Sequence, residues 1–186
     1  MIFATVGTQL PFDRLIRAID DWAGAAPGRE VFAQIGPTQF RPRHIEHAQF
    51  VSPEECADRT RAATAIVAHA GMGTILTALE GGKRLVVMPR RAALGEHRND
   101  HQLATVSRIA ELGSVEVALD ELELLGKLDE LDLLTVVQPA ISRYAPDEFV
   151  AAVRAFIIGQ PLAPTAHGVG GLRELPPVRE PRRRAA

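Results

Sequence analysis

Short apolar runs rich in β-branched residues alternate with longer segments of helical pattern through most of this chain. The runs that read as strands are 2–6, 31–35, 48–51, 65–69, 85–89 and 114–118. Helices are predicted between them, near 12–24, 54–63, 73–81 and 100–112. Apolar strands that alternate with helices are typical of a parallel sheet covered by helices on both faces. The pattern therefore predicts an α/β fold.

Prolines and glycines mark the ends of the predicted helices. Pro11 can begin the first helix, and Pro146 with two acids opens a last helix that ends at Gly159. With 186 residues, 46% of them hydrophobic, the chain suits one compact domain with a tail. We expect the domain to span 1–159 and a flexible tail, rich in proline, glycine and arginine, to span 160–186.

Two segments leave alternatives open. Residues 120–134 nearly repeat a six-residue unit, and they are either an amphipathic helix packed on the domain or a face that binds a partner. The arginines of the tail could contact anionic lipid headgroups, or the tail could simply be solvated.

Composition and charge exclude several classes of protein. A net charge of −2 argues against general nucleic-acid binding, which usually needs a basic surface. Cys56 is the single cysteine, so no disulfide framework exists and a reducing compartment is expected. The first residues lack a basic leader, and no run of about eighteen apolar residues occurs. We therefore expect a cytoplasmic protein without a signal peptide or a membrane span.

One edge of the predicted sheet collects glycines and polar side chains. In open parallel sheets ligands bind beyond the carboxyl ends of the strands, and the sharpest turn there is His-Ala-Gly-Met-Gly-Thr, residues 69–74. Gly71 and Gly73 would let a ligand approach the backbone at a helix start, where phosphate is favoured. The turn is not a dinucleotide fingerprint, because Leu76 stands where a third glycine is needed. Its glycines could also serve the tight turn alone.

A second polar segment follows the fifth predicted strand. It contains Arg90, Arg91, Glu96, His97, Arg98, Asn99, Asp100, His101 and Gln102. Donors and acceptors at this density suit a polyhydroxyl ligand with negative charge, such as a nucleotide sugar. His97 and His101 could share a helix face, but a metal site would need a third ligand, and no metal is expected. The other interpretation is a solvated loop with an N-cap at Asn99 or Asp100.

Three segments resemble a known family. FATVGTQLPFDRLI, AQIG and the stretch 66–104 are together similar to the C-terminal domain of family-28 glycosyltransferases. Within that family the chain most resembles the short catalytic subunits of two-chain enzymes, which include bacterial exopolysaccharide transferases and the eukaryotic transferase that adds the second N-acetylglucosamine to a dolichol-linked carrier. The likeness covers about residues 1–158. It implies one half of the GT-B fold, the Rossmann-like domain that holds the uridine diphosphate (UDP) sugar.

The resemblance implies that two glycine turns hold the diphosphate. The turn of Gly7 and Thr8 would approach the diphosphate itself. The helix start near the α-phosphate would consist of Gly71, Met72, Gly73 and Thr74. His69, at the rim of this second turn, is either a ligand contact or a core histidine that bonds the backbone.

The resemblance also implies contacts to the sugar and the nucleoside. Asp100 and Gln102 would hold the sugar hydroxyls, and the backbone near 50–51 would face the uracil ring. One position departs from the family pattern. Relatives often have a glutamate that holds the ribose one turn into the helix, whereas this chain has Thr77, with Glu80 three residues later. The ribose contact therefore stays open.

Glycosyl transfer requires a stabilised leaving diphosphate and a base for the acceptor hydroxyl. Amides of the two turns, with Arg90 or Arg91 nearby, could stabilise the diphosphate without a metal. The acid–base candidates are Glu96, His97 and Asp100.

A partner subunit is expected to complete the site. A GT-B enzyme has a second domain that faces the donor half, and about 158 residues form only one such domain. We therefore expect a membrane-associated subunit to bind a lipid-linked saccharide acceptor, and no cofactor beyond the UDP-sugar donor. The alternative is a nucleotide-binding regulatory or scaffold module without catalysis.

Overall fold

The computed structural model describes residues 1–110, 113, 115–133 and 140–160. The chain divides into two units, 1–143 and 144–186, each described by itself. In the first unit lies a sheet of six parallel strands. The described part of the second unit carries one helix. From 161 onward the predicted tail lies outside the described residues, and the domain boundary at 159 stays a prediction.

The strands and helices follow one another in the predicted order. The strands are β1 (Ile2–Thr5), β2 (Val31–Gln34), β3 (Glu46–Ala48), β4 (Ala65–His69), β5 (Arg84–Met88) and β6 (Glu116–Val117). The helices are α1 (Asp13–Gly24), α2 (Pro53–Ala62), α3 (Met72–Glu80), α4 (His101–Ala110), α5 (Glu121–Leu133) and α6 (Asp147–Ile157). These bounds confirm the predicted α/β fold. None of the helices in the described ranges combines the length and the apolar character that a bilayer crossing requires.

The third strand lies earlier than the sequence predicts. The apolar letters place it at 48–51, whereas β3 spans Glu46–Ala48. The chain leaves the sheet after β3 because the amide of Val51 donates to the side-chain oxygen of Gln34 at 3.1 Å. Ser52 then caps α2 by accepting from the amide of Glu55. The contact with Gln34 and the cap at Ser52 therefore end the strand before residues 49–51 can extend it.

The order of the strands reverses at β1. The sheet runs β3-β2-β1-β4-β5-β6, with every neighbouring pair parallel. In the register, Ala4 of β1 pairs with Ala33 on one side and with Val67 on the other. Such a reversal opens a crevice beyond the carboxyl ends of the two central strands. This arrangement is the predicted Rossmann-like sheet.

Alternate residues of each strand face opposite layers of helices, as the pleat requires. Ala4 and Val67 belong to a core that includes residues of α1 and α5. Phe3 and Ile66 belong to the other core, which includes residues of α3 and α4. Because both faces of the central strands are buried, these strands read as continuous apolar runs in the sequence.

Helix α5 supports the first interpretation of residues 120–134 over its described part, Glu121–Leu133. Its Leu124 and Leu128 are both 0% exposed and pack in the core shared with α1. The segment is therefore an amphipathic helix packed on the sheet.

Leu128→Ala should lower the free energy of unfolding by about 2–5 kcal/mol, because it leaves a cavity in the core beneath α5. Leu122→Ala in the same helix is the matched control. Leu122 is 79% exposed, so its loss should change stability by less than about 0.5 kcal/mol. Urea unfolding followed by circular dichroism measures both, and equal effects would contradict the packing of α5.

Candidate functional site

A cleft of about 560 Å³ opens at the carboxyl edge of the sheet, beside the reversal between β1 and β4. Three segments form its walls: the turn after β1, the turn between β4 and α3, and the loop between β5 and α4. This is where open parallel sheets bind ligands.

The turn after β1 is shaped by Gly7. Its φ of +76° is a left-handed conformation that favours glycine, and its amide donates to the hydroxyl of Thr5 at 3.2 Å. Thr8, Gln9 and Leu10 follow and also line the cleft. The backbone amides of these three residues have no hydrogen-bond partner among the described residues. The turn therefore offers free donors in the wall of the cleft.

The start of α3 supplies a second set of donors. Gly71 is the N-cap and provides no side-chain hydrogen bond. The next three amides, those of Met72, Gly73 and Thr74, have no acceptor in the described part of the chain. Free amides at a helix N-terminus favour an anion. Gly73 and Thr74 line the cleft, whereas Met72 does not.

His69 lies between the two glycine turns. A β-carbon at Gly7 would lie 2.8 Å from the ring atom Cε1 of His69, and one at Gly71 would lie 2.3 Å from Nε2. Nothing lies within 4 Å of a β-carbon at Gly73. Gly7 and Gly71 therefore make room for the imidazole, and the space beside Gly73 remains open.

The surroundings of His69 keep its imidazole neutral. Burial lowers the pKa to about 4, the charge of Arg90 acts in the same direction, and His97 adds a smaller contribution. The backbone of Thr5 partly opposes this lowering of the pKa. The buried Nδ1 has no hydrogen-bond partner among the described residues. His69 is thus both a packing group and part of the cleft wall.

Arg90 holds the turn after β1. The residue is 3% exposed, and its guanidinium donates to the carbonyls of Val6 and Leu10 at 2.8 and 2.7 Å. It also donates to the carbonyls of Pro11 and Glu96. Burial lowers its pKa to about 10, and the charge of Glu96 opposes the shift. Since these donors are engaged, the geometry favours a supporting role, and direct contact with a diphosphate stays a prediction.

The carboxylate of Glu96 is engaged in an ion pair. Arg14 donates to Oε1 at 2.7 Å and to Oε2 at 3.0 Å, and the amide of Arg91 donates to Oε2 at 2.9 Å. The side chains of Arg14 and Glu96 are 13% and 11% exposed. A carboxylate bound in this way joins α1 to the β5–α4 loop. The catalytic role predicted for Glu96 therefore gains no support from the geometry.

His97 is the predicted acid–base group that lines the cleft. Its ring centroid lies 4.5 Å from that of His101, which lines the same wall. The pKa of His97 is lowered, first by burial and then by His101 and Arg90. Asp100, by contrast, accepts from the amide of Ala92 at 2.8 Å and does not line the cleft. Among the described residues, no group of three or more metal-ligating side chains is formed.

Most of the predicted donor-binding residues share the cleft. Those that line it, together with His97, are Gly7, Thr8, His69, Gly71, Gly73, Thr74, Arg90 and Gln102. Gln102 is 4% exposed, and its side-chain oxygen accepts from the amide of Arg90 at 3.0 Å. Those that do not line it are Met72, Arg91, Glu96 and Asp100. Arg91 instead donates to the carbonyl of Leu119.

Two parts of the cleft were missed in the sequence. Gln34 is 5% exposed, and its side chain bonds the carbonyl of Gly7 and the amide of Val51. In the sequence, a single amide side chain at the end of an apolar strand was the one indication of this role. The other part consists of apolar residues in the wall, among them Phe3, Cys56 and Ile66. Residues 50–51, predicted beside the uracil ring, are not part of the cleft wall.

The sequence matches one protein family. The model of the Glycosyltransferase family 28 C-terminal domain matches residues 1–138. No curated protein sequence matches the chain significantly.

Solved structures of other proteins share the fold, and three of them illustrate the likeness. The glycotransferase of kitacinnamycin is 21% identical, with a TM-score of 0.52 over 70% of this chain and 34% of that one. CalG4, the calicheamicin glycosyltransferase, is 19% identical, with a TM-score of 0.52 over 69% of this chain and 34% of that one. The solution structure of ALG13 is 16% identical, with a TM-score of 0.53 over 81% of this chain and 93% of that one. The chain thus spans about one third of the first two proteins.

Gly71→Ala should destabilise the fold by about 1–3 kcal/mol, because the new methyl group would overlap the His69 ring. Gly73→Ala is the matched control. It meets no atom within 4 Å, and alanine is favoured over glycine in a helix by about 0.5–1 kcal/mol. Thermal unfolding compares the two variants. A Gly71→Ala protein as stable as Gly73→Ala would contradict the packing of His69 against the turn.

His69 should make the fold sensitive to acid. In the unfolded chain an imidazole titrates near its ordinary pKa of 6.5, whereas the folded pKa is about 4. Its contribution to stability is therefore complete above about pH 6.5 and is lost as the pH falls to about 4, because the unfolded state binds the proton first. The difference corresponds to about 3 kcal/mol.

The comparison with His69→Gln isolates this effect. Urea unfolding of both proteins from pH 7 to pH 4 should show the stability advantage of the wild type shrinking as the pH falls. A difference that stays constant with pH would show that the folded histidine titrates normally.

Proposed function

The chain belongs to the family of the glycosyltransferase family 28 C-terminal domain, and on this premise we propose that it is the donor-binding half of a glycosyltransferase. In this proposal the cleft binds a UDP-sugar, and the sugar passes to a lipid-linked acceptor held by a membrane-associated partner subunit, in the synthesis of a polysaccharide. One observation carries the proposal: the free amides of 8–10 and of 72–74 belong to adjacent turns at one cleft.

A diphosphate fits the charge of the cleft. A negative charge near a helix N-terminus is stabilised by about 0.3–1 kcal/mol. The buried guanidinium of Arg90 adds a positive charge, and the hydrogen bonds of its own donors go to carbonyls. The carboxylate of Glu96 is paired with Arg14 instead. The cleft wall therefore favours an anion.

The apolar part of the cleft wall suits a nucleoside. Phe3 and Ile66 contribute apolar surface there, and Thr60 and Thr77 bring hydroxyl-bearing side chains to the same wall. A site with an apolar floor and a few polar groups is typical of small-molecule binding. Thr77 stands at the sequence position where relatives often have the glutamate that holds the ribose, and its hydroxyl donates to the carbonyl of Gly73 at 2.9 Å.

Transfer would require the chain to stabilise the departing diphosphate. Amides held in fixed positions act on charge as it develops and need no reorganisation in the reaction. Of the three predicted acid–base groups, His97 lines the cleft, and its lowered pKa favours the neutral imidazole, which can accept a proton. The acceptor hydroxyl would then lose its proton to His97 or to a group of the partner.

The partner subunit rests on two observations. The structurally similar transferases are about three times as long as the matched part, since this chain covers 34% of each. ALG13, by contrast, is covered to 93%, so a protein of this size can consist of such a domain. An acceptor site on a second chain would place transfer at the membrane surface through that chain.

The second candidate function is a nucleotide-binding module without catalysis. It is favoured by the engagement of Glu96 with Arg14 and of Asp100 with the amide of Ala92. Such a module would bind UDP and UDP-sugars equally, since nothing would need to orient the hexose.

Thermal shift and calorimetric titration with UDP, UDP-sugars, UMP and NAD test the proposal. We expect UDP and at least one UDP-sugar to bind and NAD not to bind. The purified chain alone should show negligible transfer from a labelled UDP-sugar, and transfer should appear when membranes of the source organism are added. A lack of binding to every uridine nucleotide would refute the donor site, and transfer by the chain alone would refute the need for a partner.

Gly73→Asp should weaken the binding of UDP at least tenfold, or about 1.4 kcal/mol, because it places a carboxylate in the open space beside the free amides of α3. The fold should be retained, since no atom lies within 4 Å of the new β-carbon. Gly73→Ala separates the charge from the added bulk. Unchanged UDP affinity in a folded Gly73→Asp protein would place the diphosphate elsewhere.

A further inference from the structure

Two buried side chains hold the turn after β1 from opposite sides. Gln34, at the end of β2, donates from Nε2 to the carbonyl of Gly7 and to the hydroxyl of Thr5, both at 3.2 Å. Arg90, beyond the end of β5, donates to three carbonyls of the same turn, those of Val6, Leu10 and Pro11. Both side chains are at most 5% exposed. Carbonyls before and after Thr8 and Gln9 are therefore bound to the protein.

A bound carbonyl also sets the direction of the next amide. In a trans peptide the C=O and the N–H lie in one rigid plane and point in opposite directions, and the structure has no cis peptide bonds in its described part. The carbonyl of Gly7 is directed at the buried amide of Gln34. The N–H of Thr8, in the same plane, must then point the other way. This N–H has no partner among the described residues, and Thr8 lines the cleft.

We infer that Gln34 and Arg90 are positioning residues, which hold the peptide plane of Gly7 and Thr8 so that the Thr8 amide donates to the diphosphate of the ligand. This inference rests on the proposed donor site. Gln34 acts on the plane itself, and Arg90 holds the two ends of the turn. Neither needs to contact the ligand.

The geometry of Arg90 distinguishes two roles, that of holding the turn by hydrogen bonds and that of supplying positive charge. Its planar guanidinium reaches carbonyls of Val6, Leu10 and Glu96 at once and stacks on the ring of Phe12, with 4.8 Å to the centroid. A lysine keeps the charge but not the planar fork. Arg90→Lys should therefore release the turn even though the positive charge remains.

The test compares the affinities for UDP and UMP in Gln34→Met and Arg90→Lys. The helix start at 72–74 is assigned to the α-phosphate, which leaves the turn after β1 for the terminal phosphate that UMP lacks. The preference for UDP over UMP should therefore fall at least tenfold in both variants, while the affinity for UMP changes less than threefold. A preference that stays unchanged in folded Gln34→Met, or equal losses for UDP and UMP, would overturn the inference.

Arg84→Lys is the matched control for a buried strand residue. Arg84 is 7% exposed, lies at the opposite end of β5 and pairs with Glu116 at 2.9 Å. The substitution should lower thermal stability and leave the preference for UDP over UMP unchanged. If the control lowered this preference as much as Arg90→Lys does, general loosening of the fold would explain the effect and the inference would fail.

Hydrogen exchange of the wild type tests the same point without a variant that could fail to fold. The Thr8 amide should exchange rapidly in the free protein and at least tenfold more slowly with inorganic pyrophosphate bound. Exchange that pyrophosphate does not slow would overturn the inference. Protection by pyrophosphate, combined with no preference for uridine nucleotides, would refute the proposed donor and leave the positioning intact.

Discussion

The strand order reverses at β1, and the site depends on this reversal. Because β1 has β2 on one side and β4 on the other, the turns after β1 and β4 leave the sheet side by side. The helices that follow them, α1 and α3, cover opposite faces. The chain therefore leaves the sheet toward opposite faces at these two strands, and the cleft opens at the carboxyl edge beside them. A cleft at this edge is a consequence of topology, and the turns provide its chemistry.

Backbone groups in the turns beyond the strand ends have no hydrogen-bond partners in the sheet. In this protein buried polar side chains supply many of those hydrogen bonds. Gln34 pairs backbone groups of two turns, Gln102 accepts from the amide of Arg90, and Arg90 serves carbonyls of the turn after β1. A buried polar group costs free energy when it has no partner, so these contacts are needed for stability. They also leave the amides of 8–10 without a partner among the described residues. Stability and preparation for an anion thus come from the same bonds.

Charge at the cleft is divided between two arginines with different partners. Arg14 takes the carboxylate of Glu96, and Arg90, which is more deeply buried, takes carbonyl oxygens. Glu96, the acid that could neutralise Arg90, is therefore paired with Arg14 and does not line the cleft. His69 lies beside Arg90 and remains neutral, since burial and the guanidinium both lower its pKa to about 4. The buried guanidinium of Arg90 therefore supplies positive charge beside the cleft, which suits the binding of a phosphate ester.

The sequence by itself determined the α/β class and the positions of most elements, because apolar periodicity and helix punctuation are local properties. It also pointed to the two glycine turns, and the match over residues 1–138 confirmed the family. Only the tertiary structure decided what individual polar side chains do. Glu96 lies near His97 in the chain, but an arginine far away in sequence engages it. Gln34 looked like a strand residue and proved to join two turns. Gly71, read as clearance for a ligand, first of all makes room for His69. Such roles depend on which distant groups meet at the sheet edge, and the pattern along one chain does not carry that information.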